Sequence, residues 1–345
     1  MLAQRTRVPR AFMGILAVIA LSPMARSQEV EVFADVDSII AWLEQEQFWG
    51  EDAHGEQLDV PRILTTGISA RWQQAAERLP VAQKKEIFYR LLLPLVLHAN
   101  DLVLDRRDAL TRAKETLESR GRLADDDLAL VRRAAILLRV TDLDTVASIA
   151  AGDREALTPI IDDALYRLDV IPAGLVLGQA AYESGYATSR FAIEGNALFG
   201  QWTYGEGLLP EQQREHLGDY RIASYEWPFD SVRDYYINLM SHPAYAEFRR
   251  LRAEFRANQE PLSSLVLADA LTGYSERGQD YVDTLKSIIR VNRLDIADGA
   301  RLRDEPMRFA VIASDATEAA ELRADIERMR ESGELSAIIE RMRLE

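Results

Sequence analysis

The sequence predicts a mainly α, α+β protein, and three observations support this fold class. Apolar residues recur at three- and four-residue spacing almost throughout residues 29–159. Two further helical patterns begin near Pro172, which suits a first helical turn, and near Ser231, which reads as a capping box with Asp234. Between these patterns, residues 200–227 are rich in Gly, Trp and Tyr and lack helical periodicity, which predicts a small lobe of short strands or a hairpin.

Local signals predict where several helices begin and end. The acids at 125–127 and Asp142 precede helical patterns, as N-cap residues do. Gly121 follows a helical run, as a C-terminal glycine does. Pro94 lies inside an apolar run and predicts a kink or a division of its helix, because proline lacks the amide hydrogen and clashes with the preceding turn.

The first residues have the three-part order of a secretory signal peptide. Three arginines precede an apolar run at residues 11–21, and a small-residue site, Ala25-Arg26-Ser27, follows it. The apolar run is too short to span a bilayer comfortably. The sequence therefore predicts cleavage near Ser27, export to a periplasm and no stable membrane insertion afterwards. An uncleaved N-terminal anchor is the alternative.

Composition and missing motifs argue against several classes of function. The chain has 345 residues, no cysteine and a formal net charge of -15. Without cysteine, disulfides and thiol catalysis are excluded, and the negative charge disfavours binding to nucleic acid or anionic lipid. The four histidines are scattered without metal-ligand spacing, and no phosphate-binding glycine loop or nucleophile elbow occurs. We therefore expect neither a metal nor a cofactor.

One acid, Glu183, lies near the end of a helical run of small and apolar residues that begins at Pro172. Gln179 lies four residues earlier, on the same helical face. Burial disfavours a charged carboxylate and raises its pKa, and a general acid needs a raised pKa to protonate a sugar leaving group near neutral pH. On the helical pattern alone, however, a surface glutamate at a helix end is the better explanation.

Three separated segments share their sequence and their order with a known family. They are "IPAGLVLGQAAYESGYATSRFAIEGNALFGQWT", "DSVRDYYINLMSHPAYAEFRRLRAEFR" and "LTGYSERGQDYVDTLKSIIRVNRL". The chain over about residues 60–294 resembles the bacterial glucosaminidases, peptidoglycan hydrolases of glycoside hydrolase family seventy-three, and especially their Bax-like branch. The resemblance implies a lysozyme-like fold, with a helical lobe and a small β lobe flanking a groove, preceded by a helical N-terminal region.

The resemblance also assigns roles to residues. Glu183 matches the family's catalytic glutamate, residues 196–200 match an N-x-L-F-G element leading into the β lobe, and Tyr274 matches a tyrosine near the groove that we count as catalytic. Aromatic rings with polar tips suit the apolar faces and hydroxyl edges of sugars. The predicted substrate contacts are Gln179, Asn196, Phe199, Trp202, Tyr204 and Tyr281. For each aromatic residue, packing in the core is an equally good explanation.

The second catalytic group stays open, because glycoside hydrolysis generally uses two carboxylates. We take Glu206 as the candidate, since it directly follows the run LFGQWTYG. The other acids of the predicted β lobe are Glu211, Glu215, Asp219 and Glu226, and each is individually explained as a solvated loop charge. The N-acetyl group of the substrate is an alternative to a second carboxylate.

The predicted organisation has four parts: a signal peptide (1–27), a helical N-terminal region (28–150), a lysozyme-like catalytic domain (151–296), and a tail (297–345) with one strand, MRFAVIAS, and charged helices. The N-terminal region is either a wall-targeting module or a support for the catalytic domain. The lack of a glycine-rich linker favours support.

The resemblance implies an exported hydrolase that cuts the β-1,4 bond after N-acetylglucosamine in the glycan strands of peptidoglycan. A lytic transglycosylase or a muramidase is one alternative, although the N-A-L-F-G segment favours a glucosaminidase over the G-x-M-Q element of transglycosylases. A noncatalytic wall-binding protein is the other alternative, which the unassigned second carboxylate keeps open.

Overall fold

The computed structural model describes residues 30–50, 58–68, 70–210, 213, 218–313 and 316–335, so the predicted signal peptide lies outside the described residues. As predicted, the fold is mainly α, α+β and lysozyme-like, with a helical N-terminal region. The helices are α1 (Val36–Gln45), α2 (Ala70–Arg78), α3 (Val81–Arg120), α4 (Asp125–Leu137), α5 (Leu143–Ser148), α6 (Arg154–Arg167), α7 (Ala173–Ser184), α8 (Arg190–Gly195), α9 (Pro228–Ser241), α10 (Ala246–Ala257), α11 (Ser264–Leu267), α12 (Gln279–Val291) and α13 (Ala316–Ser332).

Short strands join distant parts of the chain. They are β1 (Val30–Phe33), β2 (Asp59–Val60), β3 (Ile63–Thr65), β4 (Trp202–Thr203), β5 (Arg221–Ile222), β6 (Arg301–Leu302) and β7 (Arg308–Ile312). The order β1-β7-β3 forms a parallel sheet, in which Phe309 pairs with Val30 on one side and with Leu64 on the other. The strand β2 pairs with β6 in parallel, and β4 pairs with β5 antiparallel.

The prediction of nearly continuous helix over residues 29–159 is wrong at β1, β2 and β3. The segments β1 and β3 are too short for periodicity to distinguish a strand from a helix. Both pair with β7, which lies more than 240 residues later in the chain. The predicted strand in MRFAVIAS is confirmed as β7. The N-terminal region and the tail therefore share one sheet.

Of the kink or division predicted at Pro94, the division is wrong, because α3, which is 40 residues long, continues through this residue. The kink stays a prediction. Pro94 is buried, and α3 packs against α6, α7 and α9, so tertiary contacts hold the helix where one backbone hydrogen bond is missing. By length and composition α3 is able to cross a membrane, but 67% of its most apolar stretch is buried inside the protein. Buried core helices have this same composition.

The predicted helix signals are confirmed at two positions and wrong at two. Gly121 ends α3 with φ +73° and donates its amide to Leu117, and the Asp142 side chain caps α5. The acids 125–127 lie in the first turn of α4 rather than before it. The capping box at Ser231 is also wrong. The helix α9 begins three residues earlier at Pro228, and the buried Ser231 hydroxyl accepts a hydrogen bond from Leu198 N at 3.0 Å.

The helix α7 lies at the centre of the molecule, against α3, α11, α12 and the 3-10 helix Leu294–Gly299. Two glycines allow this close approach. A Cβ atom on Gly174 would lie 2.3 Å from the carbonyl oxygen of Leu294, and one on Gly178 would lie 3.0 Å from side-chain atoms of Leu285 and Ile289. The small-residue pattern of α7 thus serves helix packing.

The first turn of α7 is capped by a distant acid, Asp298. Its carboxylate accepts hydrogen bonds from Gly174 N at 2.9 Å, from Ser264 N at 2.8 Å and from the Ser264 hydroxyl. These bonds satisfy amide groups at the starts of α7 and α11, where helices lack internal acceptors.

Removing this cap is expected to destabilise the protein. Asp298→Ala leaves buried donors without an acceptor, which costs about 1–3 kcal/mol of the free energy of unfolding. Asp298→Asn retains one acceptor oxygen and should lose less. Urea denaturation of the two variants measures the difference, and an equal loss in both would contradict the capping role.

Candidate functional site

Glu183 lies one residue before the C-terminal end of α7, and Gly185 ends the helix in the left-handed conformation with φ +60°. The carboxyl group is largely surrounded by protein. Burial raises the pKa of Glu183 to about 7, against an opposing hydrogen bond from the Tyr281 hydroxyl. The partial negative charge at a helix C-terminus acts in the same direction as burial. A substantial fraction of Glu183 is therefore protonated at neutral pH, unlike an ordinary glutamate.

A directed chain of hydrogen bonds supports Glu183. Tyr235 donates its hydroxyl to Gln179 Oε1, and Gln179 Nε2 donates to the Tyr281 hydroxyl at 2.8 Å. Because the Tyr281 oxygen already accepts from the amide, its own proton is directed to Glu183. Burial raises the pKa of both tyrosines above the ordinary value, so they act as neutral donors.

Stacked aromatic rings form the wall behind this chain. Tyr274 stacks on Tyr281 with ring centroids 5.5 Å apart, and Phe199 stacks on Tyr235 at 4.2 Å. The Tyr274 hydroxyl donates to the carbonyl of Phe199 at 3.3 Å. The wall thus connects α12 and the turn before it to the loop that carries Gly200. This loop passes close to the acid, because a Cβ atom added to Gly200 would lie 3.9 Å from Glu183 Oε2.

The small lobe predicted at residues 200–227 is present. β4 and β5 form a two-stranded antiparallel ladder, and Leu208 forms a further bridge with Ile222. Trp202 and Tyr204 expose 50% and 76% of their surfaces, and the Trp202 ring lies 4.7 Å from that of Tyr220. This lobe therefore presents aromatic surface to solvent, which suits contact with sugar rings.

The other four predicted substrate contacts are buried or half-buried, and Asn196 is the half-buried one. Gln179, Phe199 and Tyr281 are buried, and their polar atoms or rings are engaged inside the protein. Asn196 accepts from Ile68 N at 3.0 Å and donates to the carbonyls of Tyr225 and Glu226 at 3.1 and 3.0 Å. These side chains hold the site together, whereas the predicted roles of Trp202 and Tyr204 are compatible with their exposure.

The carboxylate candidates of the β lobe differ from Glu183 in their surroundings. Glu206, Asp219 and Glu226 are exposed, and Glu211 and Glu215 lie outside the described residues. The sequence interpretation missed Asp234, a half-buried acid on α9. Burial raises the pKa of Asp234, against the charge of Arg233 and a hydrogen bond from Tyr225. In the sequence, Asp234 was interpreted only as part of a capping box with Ser231, so it was not considered as a candidate for the site.

Asp234 is connected to the loop that follows Gly200. The Tyr225 hydroxyl lies between the Asp234 carboxyl and Gln201 Oε1, and the distance from the hydroxyl oxygen to Gln201 Oε1 is 2.9 Å. One helical turn later, Asn238 hydrogen bonds to Tyr245, whose ring lies 6.0 Å from that of Tyr274. Within the described ranges, no group of three or more His, Cys, Asp or Glu side chains is placed to hold a metal ion.

The hydrogen bond from Tyr281 gives a prediction about Glu183. Tyr281→Phe removes a donor that stabilises the ionised carboxylate, so the pKa of Glu183 should rise above about 7. NMR titration of protein labelled with 13C at the glutamate carboxyl carbons measures this pKa, with Glu183→Gln used to assign the resonance. The surface variant Tyr166→Phe should leave the pKa unchanged. A fall in the Tyr281→Phe protein would show that the hydroxyl does not donate to Glu183.

Comparison with known proteins matches the region that contains this site. Residues 158–294 match the sequence model of the Glucosaminidase family, described as mannosyl-glycoprotein endo-beta-N-acetylglucosaminidase. The chain is similar to the protein Bax of Escherichia coli (strain K12), with 34% identity over 133 residues, which make up 39% of this chain and 47% of Bax. The chain thus spans about half the length of this curated relative. No solved structure matches the chain.

Proposed function

We propose that the protein is a peptidoglycan hydrolase, because residues 158–294 match the Glucosaminidase family model and the chain is similar to Bax over 133 residues. It cleaves the β-1,4 glycosidic bond after N-acetylglucosamine, with Glu183 as the general acid. The observation that carries the proposal is the raised pKa of Glu183, about 7, at a carboxyl group held by Tyr281 and located beside an aromatic β lobe.

The chemistry of the first step follows from this environment. Cleavage of a glycosidic bond needs a proton on the leaving oxygen while positive charge develops on the sugar. A carboxyl group with an ordinary pKa is almost fully ionised at pH 7 and has no proton to give. Glu183 retains its proton into the neutral range because burial disfavours the charged form. The Tyr281 hydroxyl then stabilises the carboxylate that remains after the transfer.

The opposite face of the sugar needs a second group. Glu206 is the candidate from the sequence, and its exposure on the β lobe is compatible with approach to a bound glycan. Assistance by the N-acetyl group of the substrate is the alternative route. The rate of Glu206→Gln distinguishes the two routes, because only the route with a second carboxylate requires Glu206. Stereochemical analysis of the released sugar is the second measurement.

Product analysis tests the proposed bond. Purified protein is incubated with sacculi, the released muropeptides are reduced with borohydride, and their ends are identified by mass spectrometry. Reduced N-acetylglucosamine ends, absent with Glu183→Gln, are expected. Anhydromuramic ends would instead indicate a transglycosylase, and reduced muramic ends a muramidase. Binding to sacculi without any product would indicate a noncatalytic wall-binding protein.

We also propose export to the periplasm, on the basis of the basic, apolar and small-residue segments at the N-terminus. The mass of the mature protein from fractionated bacterial cells should correspond to cleavage near Ser27. Full-length mass in the membrane fraction would indicate the uncleaved anchor instead.

A further inference from the structure

The turn that follows Glu183 is held in an unfavourable backbone conformation. Gly185, Tyr186 and Ala187 have φ values of +60°, +61° and +59° in succession. Glycine adopts this region readily, but a tyrosine and an alanine do so at a cost. Such strain persists only where surrounding contacts enforce it, and it concentrates at functional sites.

The enforcing contacts include several from the N-terminal region. Trp72 Nε1, on α2, donates to the carbonyl of Tyr186 at 2.9 Å. The Tyr186 ring meets Phe88 and Tyr89 of α3 edge to face, with centroids 5.6 and 6.0 Å apart, and the Lys85 ammonium lies 5.3 Å from its centroid. These four residues lie outside residues 158–294, which match the family.

The same region also holds the far end of the segment that leads from Glu183 towards the β lobe. Ile68 N donates to Asn196 Oδ1 at 3.0 Å, so residues 186–196 are attached to the N-terminal region at both ends. An apolar cavity of about 50 Å³ lies beside the turn, with Trp72, Phe88, Ala187 and Leu198 in its lining. Side chains therefore do not fill the space beside the turn completely. The position of the turn depends more on the hydrogen bonds from Trp72 and Ile68 and on the ring contacts of Tyr186.

We infer that the N-terminal region is a positioning element of the candidate active site, in which Trp72 and the Phe88–Tyr89 surface fix the turn after Glu183. The inference rests on the proposed function of Glu183. It assigns to Trp72 a role in orienting the acid rather than in contact with the glycan. It also predicts that the N-terminal region affects turnover more than binding to the wall.

The test compares two tryptophan variants of the full chain. Trp72→Phe keeps an aromatic ring but removes the hydrogen bond to Tyr186. We expect kcat to fall by roughly 10- to 100-fold with KM nearly unchanged, because a small displacement of an acid slows proton transfer. The NMR titration of Glu183 should show its pKa shifted towards the ordinary value as the carboxyl gains hydration. Trp42→Phe is the matched control, a buried tryptophan of the same region packed on Phe33.

A second variant separates positioning from folding. Tyr186→Gly removes the ring from α3 but permits the same φ without strain, so local folding is not penalised by the backbone. The same loss of kcat and the same shift in the Glu183 titration are expected. Changed KM or sacculus binding with unchanged kcat and titration, in either variant, would overturn the inference in favour of a wall-targeting region. A lowered melting temperature alone would overturn it in favour of general stability.

The titration keeps this inference separable from the proposed function. If the wild-type protein releases no glycan product, the proposed hydrolase activity fails. The Glu183 titration in the Trp72→Phe protein needs no turnover, so it still decides whether the N-terminal region positions this carboxyl.

Discussion

Replacing Glu183 by glutamine is expected to lower the rate of glycan cleavage by at least about 100-fold, within the range that general acids contribute. Glutamine has nearly the same shape and fits the same site, but its amide does not donate the proton that the leaving oxygen needs. The measurement is the initial rate at which reducing ends are released from purified sacculi at pH 6, where the wild-type acid is largely protonated. An unchanged rate would assign the general acid to another residue.

Glu194→Gln is the matched control for this loss. Glu194 lies on α8, is exposed, and pairs with Arg190 at 3.1 Å. An ion pair of this kind contributes little to stability, and no contact connects it with Glu183 in the chain of hydrogen bonds described above. The control protein should cleave sacculi at the wild-type rate, which separates loss of the acid from loss of any nearby negative charge.

The stability of Glu183→Gln distinguishes a catalytic defect from a folding defect. The pKa of Glu183 is about 7 in the folded protein and 4.5 in the reference state, so the folded state holds the proton more strongly. The stability that this stronger proton binding gives the folded state is fully present below about pH 4.5. It is lost as the pH rises through 7, which lowers the free energy of unfolding by up to about 3 kcal/mol. Glutamine has no charge to bury, so the variant should melt above the wild type at pH 8 and close to it at pH 4. A lower melting temperature at both values would show damage to the fold.

Replacing Asp169 by alanine is expected to destabilise the protein by about 3 kcal/mol, because its carboxylate is buried although its ion-pair partner Arg256 is half exposed. Asp169 lies just before α7 and is buried together with Arg252. Arg256 donates to its carboxylate, with Nε at 3.0 Å, and Arg252 donates to the carbonyl of Asp169 at 2.8 Å. Without the carboxylate, the positive charge of Arg252 is left in the core without its negative neighbour.

The electrostatics of Asp169 agree with this expectation. Burial alone would raise the pKa of Asp169, but the hydrogen bond from Arg256 and the charges of Arg252, Arg256 and Arg107 hold it below the ordinary value. The stability from the ionised group is therefore present at neutral pH and is lost as the pH falls through the folded pKa.

Urea denaturation at pH 7 measures the loss in Asp169→Ala. Asp59→Ala deletes a carboxylate from the exposed pair with Arg301, whose atoms are 2.7 Å apart, and should cost no more than about 1 kcal/mol. Equal losses in the two variants would show that burial of the Asp169 network adds no stability. The helix α7, which carries Glu183, begins four residues after Asp169.

Asn196 shows what residue type alone does not give, namely the partners that a polar side chain has inside the protein. An exposed amide is a good ligand for sugar hydroxyls, and the resemblance placed this one at the entrance to the β lobe. In the structure the amide instead connects the backbone of Ile68 with the carbonyls of Tyr225 and Glu226. Its donors and its acceptor are used within the protein, and this depends on segments that are distant in sequence.

The sequence by itself determined the elements whose signals are local. The spacing of apolar residues predicts the helices, Gly121 and Asp142 mark helix ends, and the Gly- and Trp-rich run before α9 predicts the β lobe. These features depend on neighbours within a few residues, because backbone hydrogen bonds and helix faces repeat over that distance. The position of Glu183 near the end of α7 belongs to the same class.

Only the tertiary structure decided the properties that depend on distant partners. The strand β7 joins β1 and β3 across most of the chain, and Gln179 meets Tyr281, which lies 102 residues later. The pKa of Glu183 rises because burial removes water from its carboxyl, and the Tyr281 proton is directed to it by that distant amide. Desolvation and hydrogen-bond direction depend on the complete surroundings of a group in three dimensions, so a local sequence pattern identifies the acid without determining its chemistry.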